Sequence, residues 1–301
     1  MKGIILAGGS GSRLYPITLG VNKHLLPVYD KPLIYYPLAT LMLANIRDIL
    51  LITRPEDQDL YKTILGNGRQ WGIHITYATQ DHPRGIAESI IIAEDFVGTS
   101  PFALILGDNM FFGHGFRSML LDAARHETGA TIFCNWVIDP ERFGVAEFDR
   151  QNTLISIEEK PEHPKSNYAI TGLYFYDTQA IEFAKNLKPS PRGEIEITDL
   201  NRLYLEKKQL KTVNLHRGFA WLDTGTHESL LDASNYVATI EKRQGLKIAC
   251  LEEIAWRNNW ISDEQFLACY HKNKNSSYGA YLHRIYHQGK YAGSLSNIRF
   301  A

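Results

Sequence analysis

Short apolar segments alternate with amphipathic segments over most of the chain. The apolar segments are rich in Ile, Val, Leu, Phe or Tyr, as is typical of strands. They predict strands at residues 2–7, 48–53, 74–79, 102–107, 130–138, 144–149, 154–158, 168–176 and 210–215. Helical spacing of apolar residues predicts helices at 32–45, 57–66, 86–97, 115–127 and 177–187. This alternation predicts an α/β fold, a Rossmann-like and mostly parallel sheet flanked by helices.

Two regions depart from the alternation. Residues 139–176 hold several strands in succession, which predicts an antiparallel insertion bearing part of a substrate site. Residues 227–243 predict a long helix with Thr226 as its N-cap, and Ser262 with Gln265 has the spacing of a capping box. We therefore expect a domain at residues 1–226 and a helical region at 227–301. Within that region, residues 271–301 predict a polar loop and a helix at a subunit or domain contact.

A glycine-rich loop follows the first predicted strand. It reads Gly8-Gly9-Ser10-Gly11-Ser12, with Arg13 directly after it and Lys23 further along. Glycines let backbone N–H groups approach a polyanion, and Arg and Lys supply the positive charge that phosphate oxygens need. The end of the first strand is also where α/β sheets bind nucleotides. The loop predicts a phosphate site, although a glycine-rich surface turn is the alternative.

Two common phosphate loops do not match these residues. A P-loop closes with Gly-Lys-Ser/Thr, whereas Gly11 is followed by Ser12 and Arg13. A dinucleotide fingerprint needs a third Gly or Ala that opens a helix at once, and Leu14 stands there. Prolines after the loop delay any helix further. A dinucleotide-dependent oxidoreductase is therefore disfavoured.

Composition and charge narrow the function classes. The chain has 301 residues, 44% of them hydrophobic and 22% charged, with a net charge of −1. This balance disfavours a nucleic-acid or membrane-surface partner. The longest apolar stretch, Ile34 to Ala44, is too short to cross a bilayer and contains Pro37. Three widely spaced cysteines form no disulfide or metal pattern, so we expect a cytoplasmic protein.

Two aspartates end apolar segments and are candidates for a metal site. Asp108 follows the strand at 102–107, and Asp223 follows the apolar residues 219–222. Either one alone is more typical of a cap or a turn. As a pair they offer the hard oxygen ligands that Mg²⁺ prefers, with substrate phosphates and water completing an octahedron.

Several motifs together resemble the sugar-phosphate nucleotidyltransferases. The resemblance covers roughly residues 2–260 and is absent beyond about residue 262. The motifs that carry it are residues 3–14, 22–32, 106–109, 139–145, 158–161, 165–169, 192–199, 217–227 and 243–247. Their density and order are specific, because no single one of these short motifs would suffice.

The resemblance implies a reaction, a cofactor and partners. It implies that a thymidylyl group passes from dTTP to α-D-glucose 1-phosphate, giving dTDP-glucose and pyrophosphate, with Mg²⁺ as the cofactor. The dTDP-glucose would supply the synthesis of dTDP-rhamnose. The attacking phosphate is ionised at pH 7, so such a site works by alignment and charge neutralisation without a general base. The alternatives are another pyrimidine nucleotide or hexose phosphate, or a catalytically silent nucleotide-sugar sensor. A full set of phosphate-binding cations and acidic residues disfavours the sensor.

The resemblance also implies a role for individual residues. The catalytic cations are Arg13, Lys23 and Lys160, although Lys160 by itself would be interpreted as a solvated lysine. Nucleotide contacts are implied for Gly8, Gly9, Ser10, Gly11, Ser12, Arg13, Lys23, His24, Gln80, Gly85 and Asp108. Sugar contacts are implied for Asn109, Gly144, Glu159, Lys160, Ile170 and Tyr174. The metal ligands are Asp108 and Asp223. His24 replaces the Gln, and Ile170 the Val, that are usual in the family.

A homotetramer with feedback inhibition is implied as well. The inhibitory nucleotide-sugar site would lie near a subunit interface and include Glu253, Ile254 and Arg257. An ordinary amphipathic segment explains the same residues equally well.

Overall fold

The computed structural model describes residues 1–289. Its strands, in chain order, are β1 (Lys2–Ala7), β2 (Pro27–Val28), β3 (Lys31–Pro32), β4 (Asp48–Thr53), β5 (His74–Thr79), β6 (Phe102–Leu106), β7 (Asn109–Phe112), β8 (Ala130–Trp136), β9 (Gly144–Phe148), β10 (Leu154–Glu159), β11 (Tyr168–Tyr176), β12 (Leu210–Asn214) and β13 (Ala220–Asp223). Its α-helices are α1 (Tyr35–Leu43), α2 (Gln58–Leu65), α3 (Glu88–Ile92), α4 (Glu94–Val97), α5 (Phe116–Ala124), α6 (Gln179–Asn186), α7 (Ile197–Glu206), α8 (His227–Gln244), α9 (Leu251–Arg257), α10 (Asp263–Asn273) and α11 (Ser277–Gln288).

One large mixed sheet organises the fold. Its strand order is β10-β9-β11-β6-β1-β4-β5, and β8 pairs with both β11 and β12. Strands β6, β1, β4 and β5 are parallel neighbours, whereas β11 runs antiparallel to β6, β8 and β9. The predicted α/β fold with an antiparallel insertion is confirmed. The change of strand direction between β6 and β11 places the insertion directly beside the parallel half of the sheet.

Helices cover both faces of the sheet because its central strands are apolar on both sides. In β1, Ile5 and Ala7 pack into a core with α1, α2, α5 and the C-terminal helices. Ile4 points to the opposite face and packs into a second core with α3, α6 and α7. Successive strand residues point to opposite faces, so one short strand contributes to both cores.

Most predicted elements are confirmed, with differences that have physical reasons. The single helix predicted at 86–97 is wrong, because the segment divides at Ala93 into α3 and α4. The pattern analysis does not predict β7 and β13, which are too short to show a period. It also does not predict α7, although Ile197, Leu200 and Tyr204 of that helix are buried.

Both predicted helix caps are confirmed. The Thr226 side chain accepts from the Ser229 backbone N–H, and the Ser229 hydroxyl is bonded to the Thr226 N–H in return. Ser262 and Gln265 form the same reciprocal pair at the start of α10. Capping boxes satisfy N–H groups that the first helical turn leaves without partners.

The C-terminal helices share the core of the sheet domain. Trp256 and Phe266 pack in the same core as strand residues, and the Trp71 indole donates to Glu252 Oε1 at 3.0 Å. The domain boundary at residue 226 stays a prediction. The predicted tail helix corresponds to α11, while residues 290–301 of the predicted tail lie outside the described residues. Among residues 1–289, no helix has the length and apolar character needed to cross a membrane.

Candidate active site

A cavity of about 220 Å³ lies where β6 ends and the antiparallel insertion begins. It brings together many of the residues predicted from sequence, along with others. Its lining residues are Arg13, Ile86, Leu106, Asp108, Asn109, Arg142, Phe143, Gly144, Glu159, Lys160, Ile170, Gly172, Tyr174, Ile197, Thr198, Trp221 and Asp223. Residues from β9, β10 and β11 form one side, so the insertion completes a site that the parallel strands open.

The glycine-rich loop turns sharply after β1. Gly11 has a φ of 66°, in the left-handed region, and a 3₁₀ turn over Ser12–Leu14 follows it. The Thr18 hydroxyl donates to the Gly11 carbonyl at 2.7 Å and holds this turn. A β-carbon on Gly8 would lie 2.8 Å from Gln80 Oε1, so glycine permits the close approach of the loop to β5.

An ion pair between Lys23 and Asp108 joins this loop region to the end of β6. Lys23 Nζ donates to Asp108 Oδ2, and the side chains are only 11% and 13% exposed. Burial alone would raise the pKa of Asp108, but the Lys23 ammonium outweighs it and holds that pKa well below its usual range. Asp108 is therefore a carboxylate at any physiological pH.

Backbone pairing brings Asp223 beside Asp108. Strand β13 runs antiparallel to β7, with Asp223 opposite Asn109. Thr224 donates to the Asp108 carbonyl twice, from its N–H at 3.2 Å and from its hydroxyl at 3.0 Å. Burial and the nearby Asp108 carboxylate raise the pKa of Asp223 above its usual value. Two carboxylates held this close favour a bound cation.

The donor set of these two aspartates fits a magnesium ion. Mg²⁺ is typically held by one or two carboxylates, with waters and substrate phosphates as the other ligands. Over residues 1–289, no cluster of three or more His, Cys, Asp or Glu side chains offers an all-protein cage. The pair therefore suits an ion that arrives with, or is completed by, a phosphate substrate.

The cationic side of the cavity includes Arg13. Its guanidinium packs against Gly225. A β-carbon on Gly225 would lie 2.9 Å from Arg13 Nη2 and 3.3 Å from Asp223 Oδ1, so both side chains approach the same glycine. Arg13 thus stands beside the acidic pair.

The insertion supplies polar groups on the other side. Glu159 accepts from the Thr198 hydroxyl and lies 3.4 Å from an Arg192 nitrogen. A β-carbon on Gly144 would lie 3.1 Å from the Thr198 hydroxyl. Lys160 has a φ of 43°, a conformation that costs a non-glycine residue energy and is often found at functional sites. The buried side chains of Ile170 and Tyr174 line the same pocket.

Asn109 links three strands at the floor of the cavity. Its Oδ1 accepts from the Gly172 N–H at 2.9 Å and from the Trp221 indole at 2.6 Å. Its Nδ2 donates to Asp108 Oδ1 at 3.0 Å. Because Oδ1 is engaged twice, a sugar contact from Asn109 would use the remaining Nδ2 hydrogen.

Gln80 adjoins the glycine-rich loop at Gly8, and neither Gln80 nor Gly85 lines the 220 Å³ cavity. Gln80 Nε2 donates to Glu88 Oε2 at 2.7 Å and to the Gly85 carbonyl at 3.3 Å. A carboxylate accepts only, so Glu88 turns the Gln80 carbonyl oxygen toward Gly8. Gly85 has a φ of 110°, and a β-carbon there would lie 2.4 Å from the Ile195 carbonyl.

His24 is buried beneath Lys23 and does not line the cavity. Its Nδ1 lies 2.8 Å from Asn22 Oδ1 and 3.1 Å from the Tyr61 hydroxyl. Burial, assisted by the Lys23 charge, lowers the pKa of His24 to about 3. The ring is therefore neutral, and it supports the segment that carries Lys23. A nucleotide contact from His24 stays a prediction.

Sequence reasoning assigned no role to several residues of the cavity. Arg142, Thr198 and Trp221 line it, and Arg192 lies beside it. All four belong to the motifs that carried the family resemblance. Their position inside those motifs was the signal that the sequence offered for a functional role. No local pattern distinguishes these four residues from neighbours that have a purely structural role.

The predicted inhibitory segment lies on α9. Glu253 accepts from Arg257 Nε at 2.8 Å and from the Tyr281 hydroxyl of α11. Ile254 is buried in the core. These contacts brace α9 against α11, and a second role in ligand binding stays a prediction.

Comparison with known proteins identifies the family. The family model described as nucleotidyl transferase matches residues 2–240. The chain belongs to the nucleotidyl transferase family. The match includes the glycine-rich loop, the whole large sheet and both aspartates, so this nucleotidyl transferase has its cavity within the family's shared region.

Curated relatives and solved structures agree with this assignment. A glucose-1-phosphate thymidylyltransferase of Neisseria meningitidis is 59% identical over 95% of this chain and 99% of its own. One from Mycobacterium tuberculosis is 53% identical over 94% of this chain and 98% of its own. A crystal structure from Bacillus anthracis, provisionally described as the same enzyme and bound to sucrose, has a TM-score of 0.73 and 46% identity, covering 78% of this chain and 94% of that one. A UDP-glucose pyrophosphorylase bound to UDP-glucose has a TM-score of 0.69 and 26% identity, covering 80% and 99%.

The buried neutral histidine predicts an acid-dependent loss of stability. The pKa of His24 falls from 6.5 to about 3 on folding, so below pH 6.5 the unfolded chain binds a proton that the folded protein does not. Stability is therefore lost as the pH falls. When the pH falls from 7 to 5, the parent protein should lose about 2 kcal/mol more unfolding free energy than the His24→Gln variant, which has no histidine to protonate at this position. Urea unfolding at both pH values measures this, and equal losses in the two proteins would contradict it.

Proposed function

We propose that this nucleotidyl transferase joins dTTP and α-D-glucose 1-phosphate to form dTDP-glucose and pyrophosphate. The single observation that supports it best is that Arg13 and Lys160 line one cavity together with the paired carboxylates Asp108 and Asp223, while Lys23 forms an ion pair with Asp108. The names of relatives that are 47–59% identical over nearly the whole chain supply the substrates.

The nucleotide occupies the side formed by the glycine-rich loop. Backbone N–H groups of Gly8 to Ser12 and the guanidinium of Arg13 bind the triphosphate. The Gln80 carbonyl oxygen, turned toward Gly8 by Glu88, and the backbone of Gly85 read the pyrimidine edge. His24 supports this side through the Lys23 segment.

The sugar phosphate occupies the side formed by the insertion. Glu159 accepts hydrogen bonds from sugar hydroxyls, while Gly144 and Asn109 contribute further polar contacts. Ile170 and Tyr174 form the apolar wall against which the ring packs. Lys160 neutralises the 1-phosphate, and its left-handed backbone directs it out of the strand end.

The reaction is an in-line displacement at phosphorus. An oxygen of the sugar 1-phosphate forms a bond to the α-phosphorus of dTTP, and the bond from that phosphorus to the β-phosphate oxygen breaks. Pyrophosphate leaves with the electron pair. The nucleophile is already ionised, so the protein aligns the two polyanions and neutralises their charge. In this scheme Lys23 and Arg13 neutralise the negative charge that accumulates on the phosphates.

Asp108 and Asp223 would hold the divalent cation, which we take to be Mg²⁺. When bound, such an ion neutralises phosphate charge and orients the triphosphate. The protein contributes two carboxylates whose spacing is set by the β7–β13 pairing and by the two Thr224 hydrogen bonds.

We further propose a cytoplasmic homotetramer that supplies dTDP-glucose to dTDP-rhamnose synthesis. The unpaired cysteines Cys134, Cys250 and Cys269 suit a reducing compartment. Neither a nucleic acid nor a membrane is a partner in this scheme.

Loss of either carboxylate should abolish efficient turnover. Asp108→Asn and Asp223→Asn each remove one preorganised charge and should lower kcat by at least ~10²-fold with Mg²⁺. Pyrophosphate release from dTTP and α-D-glucose 1-phosphate measures this. Asp122→Asn is the matched control, since Asp122 is exposed on α5 and pairs with Arg125. Near-parental turnover of either site variant would remove that aspartate from the metal site.

The proposed base contacts predict a pyrimidine preference. Thymine and uracil share one hydrogen-bonding edge, whereas a purine would leave buried partners unpaired. We therefore expect dTTP to be the best substrate and dUTP to lose roughly 10- to 200-fold for one methyl group. UTP should be poorer still, and ATP and GTP should be poor. Competition among dTTP, dUTP and UTP separates the methyl effect from the 2′-hydroxyl effect. Comparable kcat/KM for a purine nucleotide would overturn the assignment.

The inhibitory site on α9 is tested separately from catalysis. Arg257→Ala should weaken inhibition by dTDP-rhamnose, while turnover at low inhibitor concentration is largely retained. The control is Arg150→Ala, which removes the same charge from the exposed turn between β9 and β10. Inhibition constants measured at fixed substrate decide the question, because an unchanged constant for Arg257→Ala would count against the site.

A further inference from the structure

Arg142 links the cavity to a carboxylate outside it. It ends the 3₁₀ turn Pro140–Arg142, between β8 and β9. One guanidinium nitrogen, Nη1, lies 2.6 Å from Asp139 Oδ2, and the other, Nη2, lies 3.6 Å from Asp223 Oδ2. Asp139 does not line the cavity, whereas Asp223 does. A single planar side chain therefore bridges the rim and the acidic pair.

We propose that Arg142 is a further phosphate-binding residue of this reaction and that it competes with the divalent cation for Asp223. This inference rests on the proposed function, because it requires a metal and two phosphate substrates at this cavity. It assigns to Arg142 two contacts that exclude each other: the Asp223 carboxylate, or the phosphate oxygens that enter with the substrates.

The geometry favours a side chain that changes partners. The Arg142 side chain is 41% exposed, in contrast to the mostly buried Lys23. Its contact with Asp139 is a close hydrogen bond, whereas 3.6 Å to Asp223 is an ion pair without one. Asp139 thus anchors the guanidinium at the rim, and the Nη2 side remains able to turn toward another anion.

The neighbouring aromatic residues keep Arg142 over the sugar side of the cavity. Its guanidinium carbon lies 5.2 Å from the centroid of the Phe143 ring, and that ring packs against Trp221 at 4.9 Å. Both rings line the cavity. Within this frame the Nη2 nitrogen moves between Asp223 and the space beside Gly144 and Lys160, where the sugar 1-phosphate is placed.

Electrostatics determines whether removal of Arg142 strengthens or weakens metal binding. A guanidinium and a divalent ion on the same carboxylate repel each other, so each weakens the binding of the other. A phosphate beside them has the opposite effect, since arginine binds phosphate oxygens with two parallel N–H groups. Removing Arg142 should therefore strengthen metal binding in the absence of nucleotide and weaken catalysis in its presence.

The test measures these two effects in the same variants. Mn²⁺ is titrated into the protein without nucleotide at low ionic strength, with free Mn²⁺ followed by electron paramagnetic resonance. Arg142→Gln should bind Mn²⁺ roughly tenfold more tightly than the parent protein. Its kcat/KM for α-D-glucose 1-phosphate should fall by at least ~10²-fold. Arg142→Lys, which keeps the charge but not the two-pronged geometry, should bind Mn²⁺ like the parent and still lose turnover.

The matched control is Arg125→Gln, which removes the same charge from the exposed residue that follows α5 and should change neither measurement. Tighter Mn²⁺ binding with slower turnover supports the proposal, because a damaged fold would weaken both. Parental Mn²⁺ affinity or parental kcat/KM in Arg142→Gln overturns it. If neither the parent protein nor Arg142→Gln binds Mn²⁺ without nucleotide, there is no competition for Asp223 and this inference is overturned, whereas the proposed function is tested separately by the Asp108→Asn and Asp223→Asn variants.

Discussion

The Lys23–Asp108 ion pair is the interaction on which the arrangement of the site depends. It ties the segment after the glycine-rich loop to the turn between β6 and β7, and both side chains are largely withdrawn from water. A buried charge that loses its partner is strongly destabilising, so each member of such a pair constrains the position of the other. The same turn is bonded through Thr224 to the strand that carries Asp223. One ion pair therefore fixes the position of the glycine-rich loop relative to both carboxylates.

Like-charge repulsion is the problem that this arrangement solves. Two aspartates lie close together, and the proposed reaction brings two polyanions toward them. Cations come from three separate elements: Arg13 from the loop, Lys160 from the end of β10 and Arg142 from the rim. Because each is held by a different part of the fold, positive charge surrounds the cavity from several directions. Such preorganised charge is the main source of catalysis when no proton has to be moved.

The sequence predicts the sheet well, and it shows that Asp108 and Asp223 each end an apolar segment, because both features follow from local patterns. Residues 102–107 form a clear strand, and a carboxylate after such a strand reaches the ligand side of a parallel sheet. The role of Asn109 could not be predicted, since its partners Gly172 and Trp221 come from distant strands. The position of Arg142 depends on the insertion folding beside β13. The strands β7 and β13 are too short to show a period in the sequence, yet their pairing sets Asp223 opposite Asn109 and so beside Asp108.

A double-mutant cycle tests most directly whether Lys23 and Asp108 act as one unit. Lys23→Met, Asp108→Asn and the double variant are compared with the parent protein through kcat/KM for pyrophosphate release. Residues that act together show strongly non-additive effects. The account predicts that the double variant is about as slow as the slower single variant. Two losses that simply multiply would contradict it, because the residues would then contribute independently and the ion pair would not organise the site.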